Sequence, residues 1–225
     1  MAKPSKRSVR SNLPAVQAQH GGERRIGSAV ISVDAVYHVP AVHRPGPGRW
    51  SREADKIAWT DPATGLGCII RRERNGGYLA GYVGVEPNHP LFGVEWQAIP
   101  ASLAIEVHGG ISYAAACDES GPEEIAICHV PRGTSPGSEG HIWWVGFECN
   151  HITDLVPDRM DGDARDTTLV HGVGPVYRDE AYVFGQVTDL AAQLGAIADG
   201  KDKPPRISSP PPPIGLDPYK ARARR

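Results

Sequence analysis

The chain is short of aromatic and sulfur-bearing bulk, with three phenylalanines and two methionines in 225 residues. It also lacks any apolar run near the roughly 18 residues that would span a bilayer, so no membrane partner is expected. Its four cysteines, Cys68, Cys117, Cys128 and Cys149, contain no CxxC pair. The basic start "MAKPSKRSVRSN" is followed by no apolar segment of the secretory kind. These absences predict a cytoplasmic protein with reduced thiols, in which cysteines are core residues or metal ligands rather than disulfide staples. The chain has no HExxH for a metalloprotease and no GxSxG to expose a serine nucleophile. Its glycine-rich "GGYLAGYVG" (76–84) lacks the GxGxxG order of a dinucleotide fold, so tight β-packing accounts for those glycines.

What is present is a segregation of charge beneath a formal net charge of −2. Residues 1–25 hold six basic residues against one acid (+5), and 201–225 hold seven against two (+5). The stretch between has eleven basic residues and twenty-three acids (−12). An acidic body repels polyanions, so nucleic-acid binding by the core is not expected, although the tails can meet phosphates without sequence preference.

Composition divides the chain into a disordered basic tail (1–25), an extension or linker (26–55), a single globular domain (56–200) and a disordered proline-rich basic tail (201–225). Within 56–85, "DPATG" and "NGG" punctuate short apolar runs, which predicts a meander. Residues 102–117 alternate, with Leu103, Ile105 and Val107 on one face and Glu106 and His108 on the other, and are read as a strand interrupted by Gly109 and Gly110. A short strand is expected at 125–131 and another through "HIWWVGFECNHITD" (141–154). His89 is assigned to a surface loop. Apolar residues from Val183 to Ile197 fall at helical spacing, with acids before them and Gly200 after, which predicts an amphipathic helix. The expected architecture is α+β: an antiparallel, meander-like sheet with one long C-terminal amphipathic helix packed on it.

Two chemistries fit the polar residues. A metal site would use His108, His151 and Asp154, with Cys149 or His129 as a fourth donor, because zinc or another divalent metal accepts imidazole, thiolate and carboxylate together. A general acid–base site would use His108 with Glu148 or Glu106 orienting its imidazole. Ser112 is four residues beyond His108, but no elbow exposes it. Period two splits 141–151: His141, Trp143, Val145, Phe147, Cys149 and His151 share a mostly apolar face, and Ile142, Trp144, Gly146, Glu148 and Asn150 share the other. The second face is expected to form the pocket wall.

The ordered strings "GYVGVEPNHPLFG", "VHGGISYA", "WWVGFECNHITDLVP" and "YRDEAYVFGQVTDLAAQL" resemble a family of bacteriophage and bacterial proteins that has no assigned activity. In that family Glu148 is commonly an aspartate and Ala80 commonly a cysteine. The resemblance covers roughly 56–198 and implies one compact domain in a phage or prophage setting, hence the host cytoplasm. Together these features suggest a small metal-assisted hydrolase, or an enzyme modifying a small molecule or nucleotide. The alternative is a non-catalytic accessory protein that binds a small ligand or a host protein.

Overall fold

A computed structural model describes residues 15–117, 121–129, 142–159 and 175–209. Among these residues the chain forms β1 (Gln17–His20), β2 (Glu23–Ile26), β3 (Ala29–Ser32), β4 (Ala35–His38), β5 (Lys56–Thr60), β6 (Gly67–Arg72), β7 (Leu79–Val85), β8 (Tyr113–Ala116), β9 (Trp143–Glu148) and the helix α1 (Glu180–Ala198). Seven strands make one sheet in the order β1-β4-β5-β6-β7-β9-β8, and every neighbouring pair is antiparallel. β2 and β3 pair as a separate ribbon. The α+β architecture read from the sequence is therefore the one observed, with α1 packed on β6 and β7.

The sheet is covered on both faces, which explains why β7 is buried at every position instead of alternating between apolar and polar residues. On one face Ile57, Trp59, Ile70, Val83, Val145 and Phe147 meet Val183, Val187, Leu190 and Leu194 of α1. Gly81 permits that approach, since a Cβ there would lie 2.4 Å from Val187 Cγ2. On the other face Tyr37, Ala58, Ile69, Ala80, Tyr82 and Trp144 form a second cluster with Ile127. α1 starts where Asp179 caps it by accepting from Tyr182 N at 3.0 Å, and beyond it Gly200 takes a φ of 64°.

Several expectations are corrected. Residues 26–55 supply β3, β4 and the buried Val36, Tyr37, Val39, Val42 and Trp50. Residues 17–25 carry β1 and most of β2, and Arg24 pairs with Glu180 at 2.8 Å. Only Tyr113–Ala116 of the expected 102–117 strand is β; His108 sits in a turn, because Ala104, Gly109 and Gly110 all adopt positive φ. Residues 125–129 form no strand. Cys117 and Cys128 are joined in a disulfide rather than reduced, and the segment they close is held by Lys56 Nζ on the carbonyls of Glu123 and Cys128 and by Arg71 on that of Ile125. His89 is buried and bonded to Leu194 O at 2.9 Å, not set on a surface loop. Residues 1–14 and 210–225 of the expected tails lie outside the described residues, and so does His141.

The first of these corrections has an electrostatic cause. Arg72 is fully buried, with Nε on Asp55 Oδ1 at 2.8 Å, Nη1 on Gly77 O at 2.9 Å and Nη2 on Trp50 O at 3.1 Å and Glu53 Oε2 at 3.3 Å. Asp55 also accepts from Val39 N at 2.7 Å, and Glu53 accepts from Tyr177 Oη at 2.5 Å and Glu180 N at 3.0 Å. One guanidinium thus ties 39–55 to the sheet and to the start of α1. Replacing it by an apolar isostere strands a buried carboxylate. Arg72→Met is expected to cost about 3–5 kcal/mol in chemical denaturation; a loss below about 1 kcal/mol, the scale of an exposed ion pair, would contradict this role.

Candidate functional site

The site forms where the turn after β9 meets the start of α1. After Cys149 the chain turns tightly: Asp154 N donates to His151 O at 2.9 Å while Asp154 Oδ2 accepts from His151 N at 2.9 Å. Residues 154 and 176 then form a short parallel bridge, with Leu155 N on Val176 O at 3.0 Å, which brings Arg178 beside Asp154. Among the described residues the loop carrying His108 has no ladder partners of its own, and it is held by glutamines of α1. Gln193 bonds both backbone groups of Glu106, at 2.8 and 2.9 Å, and Gln186 Oε1 accepts from His108 N at 3.1 Å. These bonds satisfy backbone groups that a strand would otherwise have paired, the His108 amide fully buried among them.

At the centre, His108 Nε2 lies 2.7 Å from Asp154 Oδ2 and His108 Nδ1 lies 2.9 Å from Tyr182 Oη. The side chains of His108 and Asp154 are fully buried. Arg178 Nε reaches Asp154 Oδ1 at 2.8 Å, and its guanidinium carbon stands 4.9 Å from the Tyr182 ring centroid. The His151 ring packs edge-on to His108 at 5.0 Å. Gly109 makes room for it, since a Cβ there would sit 1.9 Å from His151 Cε1.

Charge states follow from these contacts. Burial alone would raise the Asp154 carboxyl, but hydrogen bonds from His108, His151 and Arg178 outweigh it and hold the group well below the usual carboxylate range. Burial lowers His108 by more than its bond to Asp154 restores, which favours the neutral imidazole. An ionised carboxylate only accepts, so Nε2 carries the imidazole proton and Nδ1 accepts from the Tyr182 hydroxyl. Tyr182 is itself pushed up to about 12, chiefly by burial.

Tyr182 and Arg178 carry this centre to solvent. With Arg49, Trp50, Tyr177 and Asp179 they line an open concavity of about 520 Å³. Arg49 forms an ion pair with Asp179 at its rim.

The structure brings together His108, His151 and Asp154, three of the residues singled out from the sequence, with one ligand atom from each within 4.8 Å of the others. It does not bring the rest. Glu148 pairs with Ala80 in the ladder and lies on the opposite face, where Asn150 Nδ2 donates to it at 3.1 Å. Glu106 is exposed, with its carboxylate 3.9 Å from Lys203. His129 bonds Glu123 at 3.2 Å, on the face away from α1. Cys149 is buried with its thiol pushed up by burial, and among the described residues no hydrogen bond joins Ser112 to His108. The apolar face of β9, not the face of Glu148, is the one that leads into the site. The sequence reading missed Arg178, Tyr182, Gln186 and the aromatic wall. The signal for Tyr182 was its place three residues after the helix cap, where a side chain is fixed in the first turn.

A tetrahedral zinc site keeps its ligand atoms about 3.3 Å apart. The 2.7 Å His108–Asp154 contact would have to open and lose its proton, and Oδ2 already accepts from His108 and from His151 N. The residues therefore fit a hydrogen-bonded relay better than an ion cage. A second such group, His38, His43 and Asp55, has its carboxylate filled likewise by Arg72 and His43. Comparison with protein-family models, with curated proteins and with solved structures finds no match to the chain.

Two tests follow. Gly109 has a φ of 66° and no space for a Cβ, so Gly109→Ala is expected to cost about 1–3 kcal/mol and to displace the His151 ring signals in NMR; wild-type stability would refute the contact. The lowered His108 contributes stability that is present above its unfolded value near ~6.5 and lost as pH falls below it. Asp154, also lowered, gives a second loss beginning below ~3.9. His108→Asn should abolish the first of these losses in pH-dependent unfolding and shrink the second to the part that His151 and Arg178 sustain.

Proposed function

We propose that the chain is a general acid–base enzyme acting on a small anionic molecule, with Tyr182, His108 and Asp154 as its proton relay. The observation that carries this reading is that Tyr182 lines the concavity while its hydroxyl is bonded to His108, whose other nitrogen is bonded to a buried carboxylate. A phenol raised to about 12 is a poor base at neutral pH, but not when its own proton can leave as another arrives. In the proposed step the substrate proton passes to Tyr182 Oη as the phenolic proton passes to His108 Nδ1. The resulting imidazolium is stabilised by Asp154, and the reverse movement returns the proton. With His108 and His151, Arg178 holds Asp154 ionised, and its charge over the phenol ring favours developing negative charge on Tyr182. Arg49 and Arg178 supply positive charge for an anionic group, and Trp50 and Tyr177 give an aromatic wall.

The test is solvent isotope exchange. Small carboxylates and phosphate esters incubated with the protein in deuterated buffer should take up deuterium at an acidic position, and Tyr182→Phe should slow that uptake about 10²-fold or more. Equal rates in wild type and Tyr182→Phe, or ligand binding without any exchange, would replace this reading by that of a non-catalytic binder. A stoichiometric divalent metal retained by the purified protein and lost in His151→Ala would replace it by the metal-assisted hydrolase.

A further inference from the structure

Residues 199–209 run back along α1 after Gly200, and their side chains and backbone end on two buried polar groups of that helix. Asp189 is 3% exposed. Its Oδ1 accepts from Ile207 N at 2.8 Å, and its Oδ2 accepts from Ser208 N at 3.1 Å, from the Ser208 hydroxyl and from Arg206 Nη2 at 3.1 Å. Gln186, one turn earlier, is fully buried. Its Nε2 donates to Ser208 Oγ at 2.9 Å and to Ser209 O at 3.0 Å. Its Oε1 accepts from Arg206 Nη2 at 3.1 Å and from His108 N at 3.1 Å. A primary amide has two donor hydrogens and two acceptor lone pairs, so the capacity of Gln186 is used in full. Three of its four bonds go to the 199–209 segment and the fourth goes to the relay histidine. Gly185 lets the segment lie directly on the helix backbone, since a Cβ there would be 2.9 Å from Ser208 Cβ.

We infer that Gln186 is a positioning residue for His108 and that the segment 199–209 is a strap which locks Gln186 in its working orientation. Arg206 also donates to Glu106 O, at 2.6 Å, and Lys203 to the carbonyl of Ala104, so the strap binds the same loop that carries His108. A seat of this kind is not interchangeable with water: without the strap, Asp189 keeps a buried charge whose described partners are gone, and Gln186 is free to turn. Docking of the strap therefore sets the place of His108. Its importance for catalysis rests on the relay reading, but the coupling is measurable without any substrate.

The experiment uses the full-length chain and amide hydrogen exchange read by NMR. Gly185→Ala improves the intrinsic propensity of the helix while pushing on Ser208, and Arg206→Ala removes the charge that faces Asp189. Both are expected to free the Ile207 amide and to quicken exchange of the His108 amide about tenfold, the scale of one lost buried hydrogen bond. The Val145 and Phe147 amides of β9 should keep their wild-type rates. Lys201→Ala, which touches only the exposed outer end of the segment, should change none of these. Release of Ile207 with His108 unmoved would overturn the inference. So would an equal loosening of β9, or full protection of Ile207 in both variants. If instead the amides respond as stated and Tyr182→Phe leaves isotope exchange intact, the strap stands and the relay falls.

Discussion

The buried carboxylate of Asp154 is the constraint on which the candidate site depends. A charge withdrawn from water is stable only when its hydrogen-bonding capacity is met and an opposite charge stands beside it. Asp154 draws those partners from three separate parts of the chain: His108 from the loop after β7, His151 from its own turn, and Arg178 from the approach to α1. Satisfying one oxygen pair thus fixes the relative positions of the sheet's end, an irregular loop and the helix N-terminus. The tautomer of His108, and with it the direction in which Tyr182 can pass a proton, follows from the same carboxylate.

The same requirement recurs through the molecule. Arg72 gathers Asp55, Glu53 and the carbonyls of Trp50 and Gly77; Lys56 and Arg71 bind carbonyls of the segment closed by the disulfide; Gln186 and Gln193 serve as backbone partners for residues 106–108. The sheet is covered on both sides, and much of its cover has no regular structure. Loops can lie over a hydrophobic surface only when side chains supply the hydrogen bonds that a ladder would give. That is why so many charged and amide side chains of this chain are buried, Lys56 with its amine lowered to about 8 among them.

What could be read from the sequence is what depends on neighbours in sequence. The turns at 61–65 and 74–77 and the apolar runs beside them give β5 to β7, and the spacing from Val183 to Leu194 gives α1. The alternation of Leu103, Ile105 and Val107 is indistinguishable from a strand, yet Ala104 and two glycines in positive φ turn it into a loop, and its hydrogen-bond partners lie some eighty residues away on α1. His108, His151 and Asp154 stood out as residue types able to share a proton or an ion, and they do meet. Glu148 stood out for the same reason, but the pleat sends it to the other side of β9. Arg178 and the strap carried no comparable mark, because arginine and serine beside a helix are ordinary until the fold shows what they touch, and Tyr182 was marked only by its place in the first turn of α1.

The central claim is that Asp154 is ionised and accepts the Nε2 proton of a His108 that burial keeps neutral, so that Nδ1 receives the proton of Tyr182. The direct measurement is the nitrogen NMR of the His108 imidazole at neutral pH. The account predicts one protonated nitrogen, Nε2, and one bare nitrogen, Nδ1, whose resonance shifts when Tyr182 is replaced by phenylalanine. A proton on Nδ1, protons on both nitrogens, or the signature of a metal-bound nitrogen would contradict it.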